Sequence, residues 1–411
     1  MSERAPTVSV TMPVFDNAAH VVAAVRSILD QTFADLELIV VDDGSRDATA
    51  ALVAAIDDPR IVLVRQPNQG GAHATNRALA AARGRYVAIF AGDDVSRPQR
   101  LARELEYLAS TGARAVFSWV DFIDDAGDEM RGPHFAAHLF NHPQRSRGEM
   151  LRHFFFEGNY LCGPSALIEA DLLRAHGPLP VTSAQVPDFA LWCRLLRDTD
   201  LHVLPERLVA YRVRAASGNV SSPSNNVRAH FELVQLHREA FAELPEELFR
   251  AAFHADLRRP DFSGPVEQRI ELASLWLRHR IPHLRQLGHE LLYRLLQDPA
   301  ALAVAEARYG FGLSELLRLT ATLDVDRAVE HLDLRDAAIR LEDQLRATEA
   351  EYRKLEAYTR WAFGVKDEAY LALREAHDTL DAEHRRLHER LAATESELAA
   401  VRARLTDLAG G

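Results

Sequence analysis

The chain has 411 residues, 47% of them apolar, enough for more than one globular domain. Its formal net charge of −12 argues against a general nucleic-acid binder and against a coat for anionic lipid, because both repel an acidic surface. Cys162 and Cys193, the two cysteines, exclude a disulfide framework and a four-cysteine zinc site, and read as reduced thiols of a cytosolic protein.

The opening residues Met1–Pro6 are polar and lead straight into a strand, so no secretory leader is expected. No apolar run reaches the roughly eighteen residues that span a membrane. Thr7–Phe15 reads as the first strand, closed by Pro13, with Asp16–Asn17 as a turn and helix cap. Apolar residues at 21, 22, 25, 28 and 29 form a helical stripe. Leu36–Val41 is a second strand bounded by Asp42–Ser45, and Asp47–Thr49 starts a second helix. Ile61–Val64, a turn at Asn68–Gly71, an alanine-rich helix over 72–82 and the strand Tyr86–Phe90 follow. Strand and helix alternate throughout, which builds a parallel sheet with helices on both faces.

The stretch Tyr86–Asp94 places Gly92 and two adjacent carboxylates where a parallel strand ends. That sheet edge is where open α/β folds bind ligands. Two carboxylates there suit a hard divalent cation, although Asp-Asp after a strand also makes an ordinary turn or cap. Both the G-x-G-x-x-G dinucleotide fingerprint and the P-loop are missing. A nucleotide would therefore be held through carboxylates and a metal.

A helix over 100–110, a strand over 115–120 and a polar loop over 121–132 come next. His134, His138 and His142 recur every four residues and would share a helical face, but they lack a fourth ligand, and the polar-loop reading is preferred. A helix over 148–157, an extended segment over 160–168 and a helix over 170–176 lead to a helix starting at Pro187, with Asp188 in its first turn. An N-cap is the bland role for that aspartate. Leu208–Arg214 is the last strand, and a Ser/Pro/Asn-rich loop over 217–226 marks a boundary.

Amphipathic helices broken by prolines and glycines then run to about residue 330. Beyond them Leu334, Ala338, Leu341, Leu345, Thr348, Tyr352, Leu355 and Thr359 form a heptad seam. It continues less cleanly through Ala369, Leu373, Ala376 and Leu380, and again strongly through Leu387, Leu391, Leu398, Val401, Leu405 and Leu408. The seam slips near 380–391, and Gly364 is a candidate interruption. A seam this long needs a partner, and a coiled coil between chains is expected. The division is 1–225, an α/β domain; 226–330, a helical module; and 331–411, a long coiled-coil helix.

The first 225 or so residues resemble the GT-A domain of the family-two inverting glycosyltransferases. The resemblance rests on Val10–Asn17, Ser27–Thr32, Glu37–Asp47, Asn68–Gly71, Asn76, Ala82–Tyr86 and Asp93–Asp94. It implies that Pro13 and Phe15 line the base pocket of a nucleotide-sugar donor, that Asp43 bonds the base, and that Asn76 belongs to the donor site. It also implies that Asp93 faces the ribose or the metal, that Asp94 binds Mg²⁺ or Mn²⁺, and that Asp188 is the general base. Tyr211–Arg212 and the loop from Arg214 to Ser222 match a segment that covers the donor.

Ala91 departs from the family's Asp-x-Asp-Asp pattern, Asp16 stands where Asn is usual, and Pro187 replaces a frequent Glu. The resemblance implies transfer from a UDP-, dTDP- or GDP-sugar to a glycan, lipid-linked or protein hydroxyl. The setting would be bacterial surface-glycan assembly or protein glycosylation by a cytoplasmic enzyme, with peripheral attachment at the inner membrane as a further expectation. The alternative is a catalytically weak GT-A domain serving as a coiled-coil scaffold.

Overall fold

The computed structural model describes residues 4–130, 134, 136–214, 226–321, 325–363 and 370–410. The chain forms two compact units, Met1–Ala321 and Thr322–Gly411. The first opens with β1 (Val8–Val14), α1 (Val21–Leu29), β2 (Leu36–Asp42), α2 (Thr49–Ala54), β3 (Ile61–Arg65), α3 (Gly71–Ala81) and β4 (Tyr86–Ile89). It continues with β5 (Val95–Ser96), α4 (Arg100–Thr111), β6 (Ala115–Ile123), α5 (Arg147–Phe156), β7 (Ala166–Glu169), α6 (Ala170–His176), α7 (Pro187–Leu195) and β8 (His202–Arg212).

The strands make one sheet in the order β3-β2-β1-β4-β7-β6-β8-β5. β1 to β4 are mutually parallel, β7 runs antiparallel to β4 and β6, and β8 returns parallel to β6. Every residue of β2 is buried, as expected of a central strand covered on both faces. The chain leaves β1, β2 and β4 at the same edge, which brings Phe15, Asp43 and Asp93–Asp94 to one side.

Helix α1 starts at Val21, with His20 at the N-cap, three residues after the expected start. The delay comes from Asp16–Asn17: Asp16 adopts φ 44°, and the Asn17 carbonyl accepts from the His20 and Val21 amides. His138 and His142 do not lie on a helix, because the chain turns over 136–139. No metal-binding group of three or more His, Cys, Asp or Glu occurs among the described residues.

Helices α8 (Asn226–Ala240), α9 (Glu246–Phe253), α10 (Gly264–Leu277), α11 (Pro282–Leu295), α12 (Pro299–Tyr309) and α13 (Leu313–Ala321) complete the first unit. They share a core with the sheet domain. The Phe155 ring of α5 meets those of Phe241, Phe253 and Trp276 at 5.0, 5.1 and 6.5 Å.

The second unit is two helices, α14 (Val325–Phe363) and α15 (Tyr370–Gly410), not one long helix. They run antiparallel: Arg390 pairs with Glu351, Arg402 with Glu342, and Tyr352 stacks on His384 at 4.9 Å. Ala338, Thr348 and Leu398 of the expected seam are buried. The fold-back gives each half of the seam a partner within the chain, which corrects the expectation of one long helix. Gly364 and Ala369, and the side chains of Leu334, Thr359, Leu373, Ala376, Leu405 and Leu408, lie outside the described residues.

Candidate active site

The sheet edge opens into a cavity of about 420 Å³. Pro13 and Phe15 from the end of β1, Gly92, Asp93 and Asp94 after β4, Gly163 and Pro164 before β7, Ala184, Gln185, Pro187 and Asp188 at the start of α7, and Tyr211 and Arg214 at β8 line it. Side chains separated by up to two hundred residues of sequence meet there.

Gly92 owes its place to close approach. A Cβ on it would lie 2.4 Å from Val14 Cγ1 and 3.0 Å from the Asn17 side-chain nitrogen. Only a residue without a side chain lets the chain cross β1 and turn the carboxylates into the cavity. Asp94 is almost fully buried. Its Oδ1 accepts the Arg212 backbone N–H at 2.7 Å, while Oδ2 is buried without a hydrogen-bond partner. Asp93 is half-buried, with Arg214 3.9 Å from its carboxylate. Arg212 also donates from Nε to the Asp93 carbonyl at 2.7 Å and from Nη1 to the Asp124 and Asp125 carbonyls. One arginine at the end of β8 thus straps the aspartate turn to the loop after β6.

Burial pushes the Asp93 carboxyl up, against the pull of Arg214. Asp94 is pushed well up, first by burial and then by the charge of Asp93. Two adjacent carboxylates, one carrying an orphaned oxygen, fit a hard cation with oxygen ligands. Burying such an oxygen unpaired costs stability unless something satisfies it.

Asp188 sits one residue inside α7, whose N-cap is Val186. The cap reading of the aspartate therefore fails. Its Oδ1 accepts the adjacent Phe189 N–H at 2.7 Å, and no ion pair reaches it among the described residues. Burial raises its carboxyl to about 6. Gly163 leaves the space beside it open, since a Cβ there would sit 3.2 Å from Asp188 Oδ2.

Asp43 and Asn76 do not line this cavity. Asp43 is buried and accepts from the Gln66 side chain at 2.7 Å and from the Gln69 and Gly70 amides at 2.9 and 2.8 Å. It holds the turn that begins α3. The Asn76 amide donates to the Leu179 carbonyl and accepts from the Leu179 N–H, both at 2.8 Å, and so fixes a residue of the cavity wall. Of the segment expected to cover the donor, Tyr211 and Arg214 face the cavity and residues 215–222 lie outside the described residues.

Sequence reasoning missed Arg212 as a strap and Glu232 as a clamp. The Glu232 carboxylate accepts from Ser183 Oγ and from the amides of Ala184, Gln185 and Val186 at 2.6 to 3.2 Å. Nothing local to Glu232 signals this, because its partners lie nearly fifty residues upstream.

Residues 9–177 match the family described as Glycosyl transferase family 2. The succinoglycan biosynthesis protein ExoO of Rhizobium meliloti (strain 1021) is 38% identical over 130 residues, 31% of this chain and 37% of its own length. The Escherichia coli UDP-Glc:alpha-D-GlcNAc-diphosphoundecaprenol beta-1,3-glucosyltransferase WfgD is 27% identical over 218 residues, 52% of this chain and 79% of its own. The structure of S. aureus TarS 1-349 covers 75% of this chain and 88% of its own, with 15% identity and a TM-score of 0.48. The parallel β1–β4 edge, its aspartates and the family match agree, and the domain over residues 9–177 belongs to the family-two glycosyltransferases of GT-A fold.

Proposed function

We propose that this chain is a metal-dependent, inverting glycosyltransferase that moves a sugar from a UDP-, dTDP- or GDP-sugar to a hydroxyl of a glycan, lipid-linked or protein acceptor. The observation that carries the reading is one cavity lined by Asp93, Asp94 and Asp188, with the first two adjacent, an oxygen of Asp94 unsatisfied, and Asp188 in no ion pair among the described residues. Pro13 and Phe15 offer an apolar surface for the base and Tyr211 a further aromatic one. Asp93 and Asp94 would hold Mg²⁺ or Mn²⁺, which when bound neutralises charge on the leaving diphosphate.

Asp188 takes the proton of the attacking hydroxyl. Its raised pKa keeps it ionised at neutral pH yet basic enough to accept that proton. Direct attack opposite the leaving group inverts the anomeric carbon. A retaining route through an enzyme-linked sugar needs a carboxylate nucleophile, and Asp188 is assigned instead to the base.

Relatives named for succinoglycan and for a diphosphoundecaprenol acceptor favour surface-glycan assembly as the setting. No helix among the described residues is long and apolar enough to cross a membrane. The test is nucleoside diphosphate release from a panel of nucleotide sugars with Mn²⁺, with glycan acceptors added, for the native chain, Asp94→Ala and Asp188→Asn. Release by the native chain alone is expected. Equal release by Asp94→Ala would remove the metal role given to Asp94, and no release together with failure of any nucleotide to bind with Mn²⁺ would sink the reading in favour of a scaffold.

A further inference from the structure

We infer that Glu232, on helix α8 beyond the family-matched segment, is a positioning residue for Asp188 and fixes the loop that leads the base into the cavity; this rests on the reading of Asp188 as general base. The geometry is specific. Ser183–Val186 runs directly into Pro187 and Asp188, and of these Ala184, Gln185, Pro187 and Asp188 line the cavity. Three consecutive backbone N–H groups, those of Ala184, Gln185 and Val186, donate to one carboxylate at 2.9, 2.7 and 3.2 Å. The Ser183 hydroxyl adds a fourth bond at 2.6 Å.

Such an arrangement satisfies amides that the loop itself leaves without partners, and charge-assisted bonds of this kind are the strong ones. Val186, at the N-cap of α7, has no capping side chain, so the entry angle of the helix is set from outside by α8. Glu232 is itself buried. Burial alone would raise its carboxyl, but the four bonds outweigh it and hold it below the usual range. It therefore stays charged wherever Asp188 works.

The charged groups sharing the cavity with Asp188 are Asp93, Asp94 and Arg214, and the buried Cys162 thiol feels the Asp188 charge. None of them touches the 183–186 loop in the way Glu232 does. Small displacements of a catalytic base lower turnover about a hundredfold while leaving donor binding intact. A loosened loop also admits water to Asp188, whose carboxyl is raised by burial, so its titration moves down.

The experiment compares the full native chain with Glu232→Gln, Glu232→Asp and Asp188→Asn. It measures donor turnover against pH, donor KM, and Mn²⁺-dependent binding of the nucleoside diphosphate as a count of folded sites. Glu232→Gln is expected to lose about ten- to a hundredfold in kcat per binding site, with KM unchanged within about twofold. The midpoint of its pH–rate rise should fall by about one unit, and Glu232→Asp should recover part of both effects. A merely structural role would lower the number of binding sites without moving kcat per site or the midpoint, and would overturn the inference. If Asp188→Asn is inactive and Glu232→Gln behaves as native, the positioning role fails while the base stands. Native turnover in Asp188→Asn would remove both.

Discussion

Asp188 has a pKa raised by burial and, among the described residues, forms no ion pair that offsets it, so its charge destabilises the fold and also sets the pH dependence. A carboxyl raised from 3.8 to about 6 binds its proton more tightly folded than unfolded. Stability associated with it is full below the unfolded value and is lost as pH rises from about 4 to about 6; at neutral pH the charge costs about 3 kcal/mol by the energy of a pKa unit. Asp188→Asn is therefore expected to raise the thermal midpoint at pH 7 while abolishing turnover, and to change the midpoint little at pH 4. Calorimetry at the two pH values checks the pair; a lower midpoint at pH 7 would contradict it. Turnover by the native enzyme should rise with pH through about 6, tenfold per unit on the acid side, because only the ionised base accepts the proton. A flat kcat from pH 5 to 7 would count against this base.

Among the elements, the β4 turn depends on one missing side chain and one arginine. Gly92→Ala forces a methyl against Val14 on β1, an overpacking cost of about 1 to 3 kcal/mol, and should displace Asp93 and Asp94. Mn²⁺-dependent nucleotide binding should fall with it, and Val14→Ala in the same chain should restore part of both; titration calorimetry reads the binding. Arg212→Ala removes the side-chain strap but leaves the backbone N–H to Asp94, so it should weaken metal-dependent binding less than Asp94→Ala. The order of these two losses is the check.

These elements also show what was legible beforehand. The Asp93–Asp94 pair follows its strand directly, and strand, glycine and carboxylates are local signals. Asp43 and Asn76 are readable as motif positions, but the backbone groups they hold are not. The amides that Asp43 holds and the Leu179 peptide that Asn76 clamps are placed by tertiary packing, in the second case 103 positions away. Glu232 looks like any acidic residue on an amphipathic helix until α8 packs beside the 183–186 loop.

For the whole molecule, a heptad seam announces that a helix needs a partner but does not say which. The slip near 380–391 and the Gly364 candidate break were the available hints of a reversal, and the fold-back satisfies the seam within one chain. Ring contacts of Tyr352 with His384 and His388 and the Arg390–Glu351 and Arg402–Glu342 pairs set its register. Sedimentation of the full chain is therefore expected at the mass of one copy. A dimer that dissociates in Leu398→Asp would instead show the two arms exchanging between chains. The reversal carries a practical corollary for labelling. Because residue 402 lies beside 342, the later turns of α15 run alongside the earlier turns of α14, and each arm rises about 1.5 Å per residue. A dye at residue 404 would sit near one end of the helix pair, whereas one at residue 363 would lie roughly 35 to 40 Å from it, a span that energy transfer between two dyes can measure on a single chain.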